Sequence, residues 1–312
     1  MTAVRLPAVT VFLLPAAMSS LTPLLPPELE CTIFTLAAEL NPSLCTVLIL
    51  VAHRVFVWIE PLLYRRIDFT GDSASRALVN AAKQRPALLE LGVRSLAIRL
   101  KASIDAHELF TVTLLACRHL TQLCIKHGSD PLPDYHGLLA TLQNLPIRRL
   151  ALSIHMLLHG PPATAPLHAA AALPHLTHLR VYYASFLMVS SHARAFITAL
   201  PSLTHLAVHP AGASCPPSIN DCVEQELLNL RLVLLLRSPV SNFGFPSDVR
   251  DPRIVRMTMR ARDTDEADRR NLNHWERGEE IVENRLRLGA PLEWSSMGPR
   301  SDLRMELTSN EV

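Results

Sequence analysis

A nine-residue phrase occurs twice in this chain. It reads Leu173-Pro174-His175-Leu176-Thr177-His178-Leu179-Arg180-Val181 and, 27 residues later, Leu200-Pro201-Ser202-Leu203-Thr204-His205-Leu206-Ala207-Val208. Repetition at a period of about 20 to 50 residues constrains the fold strongly, because each unit is one supersecondary element that buries its apolar side only against its neighbours. Taking the second Leu of L-x-x-L-x-Φ (Φ apolar) as the anchor, the phrase recurs at Leu96, Leu123, Leu150, Leu179, Leu206, Val233 and Met257, with spacings of 27, 27, 29, 27, 27 and 24. A weaker copy, Tyr64-x-x-Ile67-x-Phe69, lies 29 residues ahead of the first. In a chain that is 49% apolar the triplet arises by chance at roughly one position in eight, so the regular spacing carries the signal.

Between anchors lie stretches of helical character at residues 73–85, 104–117, 135–142, 191–200 and 219–230, each closed by Pro or a turn before the next strand phrase. One short strand and one helix per 24 to 29 residues resembles the leucine-rich-repeat unit over residues 67–260. The resemblance implies an α/β solenoid with a parallel inner sheet. One feature departs from the family. The places that usually hold Asn or Cys after the strand hold Lys101, Gly128, His155, Ala184 and Ala211, so an irregular solenoid is expected. A doubly wound parallel sheet is the alternative, but its strands read as continuous apolar runs, whereas these are apolar on one side.

Composition narrows the rest. A formal net charge of +2 gives no global field that would recruit nucleic acid or membrane. The six cysteines (Cys31, Cys45, Cys117, Cys124, Cys215 and Cys222) form no C-x-x-C pair and no zinc spacing, so they read as reduced thiols of a cytoplasmic or nuclear protein. No run approaches 18 continuous apolar residues, so no membrane span is expected. Residues 1–24 read as a flexible N-terminal segment. Their apolar stretch has a faint signal-peptide outline broken by Pro7 and Pro15, and Met18 is an alternative initiator.

Residues 25–66 form a helical head before the repeats. Pro26 and Pro27 followed by Glu28 make a helix start, and Leu29 and Ile33 follow at helical spacing. The opening Leu25 through Phe34 matches the L-P-x-E-L/I-x-x-x-I-F of the F-box, and residues 51–58, ending at Trp58, match its V-x-[KR]-x-W-like close. An F-box ahead of leucine-rich repeats is the layout of substrate receptors in cullin-RING ubiquitin ligases. The resemblance therefore implies that Leu25, Pro26, Leu29, Ile33 and Trp58 dock a Skp-type adaptor. The chain also resembles basidiomycete F-box-like proteins, with their L-Y-R-x-I junction at residues 63–67 and a Trp-bearing last helix around Trp275 within the C-terminal stretch 261–312. Residues 45–52 depart from the pattern: they are apolar on every side, which predicts a buried helix. That helix either lies between adaptor and repeats or caps the first repeat and binds nothing.

If the phrases are parallel strands, the residues beside each anchor point away from the core. That inner face carries Arg99, Lys126, Arg149, His178, Arg180, Tyr182, His205, His209, Arg256 and Arg260, and no carboxylate, which predicts a basic surface for an acidic protein substrate. His178 and His205 occupy equivalent places on neighbouring strands and should stack at the surface; without a third ligand they predict no metal site. Leu232, Leu234 and Leu236 would form an apolar patch on the same face, for which Leu292 and Trp294 of the tail are the expected cover.

Gly71-Asp72-Ser73 resembles the GDS block of one esterase family, but the partner D-x-x-H block is missing; as helix-capping residues Asp72 and Ser73 have a simpler role. The chain has no P-loop, H-E-x-x-H or G-x-S-x-G. The expectation is a non-catalytic substrate-recognition subunit with no cofactor. A scaffold whose head serves only as a cap is the alternative, and a hydrolase using Ser73 stands last.

Overall fold

The computed structural model describes residues 25–70, 72–100, 108–127, 138–153, 156, 165–182, 191–209, 229–237, 251–258 and 273–288. The chain divides into two compact units, Met1–Leu62 and Leu63–Val312.

The first unit contains α1 (Pro27–Leu40), a 3-10 turn (Pro42–Leu44), α2 (Cys45–Leu48) and α3, which runs His53–Leu63 across the unit boundary. Pro27 takes the first helical position, where its missing N–H costs nothing, and Glu28 and Glu30 face the positive end of α1. Asn41 turns the chain after α1, its side chain accepting from the Ser43 N–H at 3.3 Å and the Ser43 hydroxyl at 2.6 Å. Arg54 of α3 donates through Nε and Nη2 to both oxygens of Glu30 at 2.8 and 3.2 Å, an exposed ion pair worth at most about 1 kcal/mol. Among the described residues the buried apolar side chains of this unit are Ala38, Cys45, Val55 and Ile59. The expectation of a buried apolar helix at residues 45–52 fails. α2 is a single turn in which Cys45 is buried, while Val47, Leu50 and Val51 are exposed.

The second unit is built on eight parallel strands: β1 (Arg66–Thr70), β2 (Ser95–Leu100), β3 (Gln122–His127), β4 (Arg149–Ser153), β5 (His178–Tyr182), β6 (His205–Val208), β7 (Leu232–Arg237) and β8 (Ile254–Thr258). They lie in sequential order, β1 to β8, without reversal. The sheet therefore lacks the switch point of a doubly wound fold. Parallel neighbours need a crossover, and the described helices supply several of them. They are α4 (Asp72–Gln84), α5 (Pro86–Gly92), a π-helical segment (Leu109–Leu114), α6 (Leu138–Leu142), α7 (Ala165–Ala171) and α8 (Ser191–Thr198), with α9 (Asn273–Leu288) after β8. The helix expected at residues 219–230 falls almost wholly outside the described residues.

The register reproduces the repeat anchors: Ile67 pairs with Leu96, Leu96 with Leu123, and so through Leu150, Leu179 and Leu206 to Val233. The last step departs from expectation. Val233 pairs with Ile254, while Met257 pairs with Leu236, so the final anchor is Ile254 and the final spacing is 254 − 233 = 21 residues. The shift by three reverses the parity of β8, because side chains alternate faces along a strand. Ile254 joins the main core, whereas Val255 and Met257 pack on the opposite side. That main core takes the anchors from Leu96 to Val233 together with Phe110, Leu142 and Phe196 from the crossovers.

Successive repeats are also tied by a threonine ladder two residues ahead of the anchors. The Thr121 hydroxyl donates to the Arg94 carbonyl (3.1 Å), Thr177 to that of Arg148 (3.0 Å) and Thr204 to that of Thr177 (3.2 Å). The same carbonyls accept two backbone N–H groups from the next repeat, as the Thr177 oxygen does from Thr204 and His205, both at 3.0 Å. The threonines stand at the entry to β3, β5 and β6, at the other end from the absent Asn positions. Replacing Thr177 and Thr204 together by Val keeps shape and removes both hydroxyls. Each hydroxyl also meets the Nδ1 of the following histidine, at 2.8 and 2.7 Å, so four contacts are lost. Urea denaturation should show a loss of about 2–4 kcal/mol, near 1 kcal/mol or less per hydrogen bond; an unchanged midpoint would remove the ladder from the account.

Candidate recognition face

The sheet face opposite the core is a packed, histidine-rich surface, and α9 is the element that closes it. Along α9, Trp275, Gly278, Val282 and Arg285 recur at helical spacing on one side. Trp275 and Val282 form a second apolar cluster with Ala207, Leu232, Leu234, Leu236 and Val255. Gly278 lets the helix axis approach the sheet: a Cβ there would stand 2.8 Å from Leu232 Cδ2 and 2.8 Å from Leu234 Cδ2. Arg285 donates to the Ile254 carbonyl at 2.8 Å and so anchors the C-terminal half of the helix. Burying each large apolar side chain contributes roughly 1.5–3 kcal/mol, so docking α9 gains on the order of 10 kcal/mol before ordering costs. The patch of Leu232, Leu234 and Leu236 is thus covered by the chain's own C-terminal region, but by α9. Leu292 and Trp294, the expected cover, lie outside the described residues.

His178 and His205 stack as their register requires, with ring centroids 4.2 Å apart and planes 6° from parallel. They are not surface imidazoles. Trp275 presents its ring at right angles to both, at 5.1 and 5.7 Å, and His205 is 5% exposed. The Nδ1 atoms of His178 and His205 meet the hydroxyls of Thr177 and Thr204 at 2.8 and 2.7 Å, so the ladder also orients the rings. His205 Nε2 lies 2.8 Å from Glu279 Oε1 of α9. Burial, then His205, Arg149 and His274, pushes the pKa of His178 down to about 3. Burial also lowers His205, with Glu279 opposing the shift.

Arg180 was expected at the surface and is buried, 3% exposed. Its Nε and Nη2 lie 2.9 and 2.7 Å from His209 Nε2, and its guanidinium stands 5.1 Å from the Tyr182 ring centroid. A guanidinium donates and cannot accept, so His209 Nε2 is the acceptor and the His209 proton resides on Nδ1. Burial, Arg180, His274 and Lys126 hold His209 well below its ordinary pKa. Cys124 Sγ reaches the Tyr182 hydroxyl at 3.4 Å.

Of the other expected residues on this face, Arg99, Lys126 and Arg149 are half-buried on β2, β3 and β4. Arg256 shares the side of Ile254 because of the reversed parity, and so leaves the face; Arg260 lies outside the described residues. Leu25, Pro26, Leu29 and Ile33 of the head are exposed and Trp58 is half-buried. Ser73 is exposed in the first turn of α4.

The residue that sequence reasoning missed is His274. It is 7% exposed, tilted 4.9 Å from Trp275, and neither ring nitrogen has a hydrogen-bond partner. A buried polar group left without a partner costs about 1–3 kcal/mol. Burial, then Arg180 and Arg149, pushes its pKa down to about 3. His274 and Trp275 line a small groove of about 30 Å³, open to solvent, together with Cys124, Arg149, His178 and Arg180. Among the described residues no group of three or more His, Cys, Asp or Glu is placed to hold a metal ion. No single described helix is long and apolar enough to cross a membrane; Pro27–Leu40 and Pro42–Leu48 reach that length together but are bent by 119°.

No family model and no curated protein matches this chain.

Proposed function

We propose that the chain is a non-catalytic substrate-recognition subunit of a cullin-RING ubiquitin ligase, with an F-box-like head that docks a Skp-type adaptor and leucine-rich-repeat-like units that hold a protein substrate. The observation that carries this reading is the exposed apolar side of the head. Leu29, Ile33, Leu36 and Leu40 recur at helical spacing along α1, and each is 52–78% exposed. Leu25, Leu44, Val47, Leu50, Val51 and Val57 extend the set, so ten of the fourteen exposed large apolar residues among those described lie in residues 25–57. A soluble surface that leaves so many aliphatic side chains in water marks an interface. Four of the five residues that the F-box resemblance assigns to the adaptor are among the exposed ones. The sequential parallel sheet supports the repeat half of the reading.

Affinity capture with mass spectrometry tests it. Wild-type protein should retain the adaptor and a cullin, and Leu29→Asp with Ile33→Asp should lose both while thermal stability changes by less than about 0.5 kcal/mol, because both positions are exposed. Recovery of other partners but no adaptor from wild type would favour the scaffold reading, in which the head is only a cap.

A further inference from the structure

We propose that α9 is a lid that acid lifts, so that proton uptake by the imidazoles beneath it uncovers the leucines of β7 while the eight strands stay paired. The release is independent of what the head binds. Three features of the docked helix carry it. His178 and His205 stack with ring centroids 4.2 Å apart under the edge-on ring of Trp275, and two imidazolium charges at that separation repel each other. His209 receives the Arg180 guanidinium on Nε2, so a proton placed on that nitrogen must break the contact. His274 sits in the first turn of α9, more than nine-tenths buried and with no hydrogen-bond partner on either ring nitrogen, so a charge there finds no acceptor.

The neighbouring groups reinforce this. Lys126 of β3, Arg149 of β4, Arg180 of β5 and Arg231 at the entry to β7 act on these imidazoles, each disfavouring a further positive charge. Glu279 of α9 opposes them at His205, 2.8 Å away, from a side chain that is 53% exposed. Tyr182 lies 5.4 Å from the His209 ring, and its hydroxyl meets Cys124. Arg285 holds the far end of the helix to the carbonyls of Pro252 and Ile254, and a guanidinium keeps its charge throughout the acid range. Trp275, which touches both stacked rings, belongs to the second apolar cluster, whereas the strand anchors lie in the main core on the opposite side; lifting α9 therefore leaves that core intact. Imidazoles that are neutral under α9 and free to take a proton once it lifts make opening proton-coupled, favoured below about pH 6.5 and suppressed above it. Two fully shifted groups raise the opening constant by about 100-fold between pH 7.5 and 5.5.

The test follows amide hydrogen exchange of the full chain from about pH 7.5 to about pH 4, corrected for the intrinsic pH dependence of exchange. Residues 273–288 should lose protection at a higher pH than β3, β4 and β5, and binding of a hydrophobic dye should rise above its neutral-pH level as α9 opens. His274→Phe removes one coupled group and should move release to lower pH with a shallower transition. Glu279→Gln, at an exposed position, keeps the fold and should move release to higher pH, because His205 loses the charge that tolerates its proton. Loss of protection in α9 and the sheet at one pH, release of folded His274→Phe at the wild-type pH, or no upward shift in Glu279→Gln would each overturn the proposal. Adaptor capture by the head is a separate measurement, so failure of one leaves the other standing.

Discussion

Trp275→Ala should destabilise the repeat unit by about 3–5 kcal/mol, the range for truncating a well-packed aromatic side chain. The indole stands against His178 and His205 and belongs to the cluster that buries Leu232, Leu234 and Leu236, so its loss opens a cavity beneath α9. Gly278→Leu should act by the opposite route. A Cβ already meets two buried leucine methyls at 2.8 Å, so an isobutyl group must displace those side chains or lift the helix. Both variants should bind a hydrophobic dye at temperatures where wild type does not, since the leucines of β7 then face water. Urea denaturation reads the first effect and dye fluorescence the second. A loss below about 1 kcal/mol for Trp275→Ala, with no dye binding, would mean that α9 does not hold this face closed.

Acid should be the second large effect. His178 and His274 are held near pKa 3, and His205 and His209 are lowered, against an ordinary value near 6.5. Below pH 6.5 the unfolded chain takes up protons that the folded chain refuses. The stability present above about pH 6.5 is therefore lost progressively as pH falls from there towards 3. Each fully shifted histidine contributes a slope of at most about 1.4 kcal/mol per pH unit. His274 should contribute nearly all of that, and the partly solvated His178 a reduced share. Unfolding free energy should drop by at least about 2 kcal/mol between pH 7.5 and 5.5, and His274→Phe should flatten the curve. Stability that is level or rising over that interval would contradict the burial of neutral imidazoles.

The strand register was legible in the sequence because a parallel stack repeats its core positions, and Leu96, Leu123, Leu150, Leu179 and Leu206 all pair as the spacing requires. The pattern misled at Met257, where a strand apolar on both faces offers two self-consistent registers and the structure adopts the one through Ile254. The threonine ladder stands in plain view as the Leu-Thr pairs at 120–121, 176–177 and 203–204, but its meaning depends on a carbonyl 27 to 29 residues earlier. The second face was the hardest part to read. Arg180 and His205 looked like solvated strand residues because the helix that covers them begins about 70 residues downstream of His205, and no local spacing signals docking across such a gap. The roles of Gly278 and His274 follow from that docking alone. In the head, the apolar segment 45–52 predicts burial, but the structure leaves Thr46, Val47, Leu50 and Val51 exposed.

Titration of purified full-length protein with purified Skp-type adaptor, followed by calorimetry and by hydrogen exchange, tests the central claim most directly. The account predicts a saturable complex with slowed amide exchange within residues 25–58, and loss of both signals in the Leu29→Asp, Ile33→Asp double variant. No heat and unchanged exchange in the head, from wild-type protein that is folded and monodisperse, would contradict it.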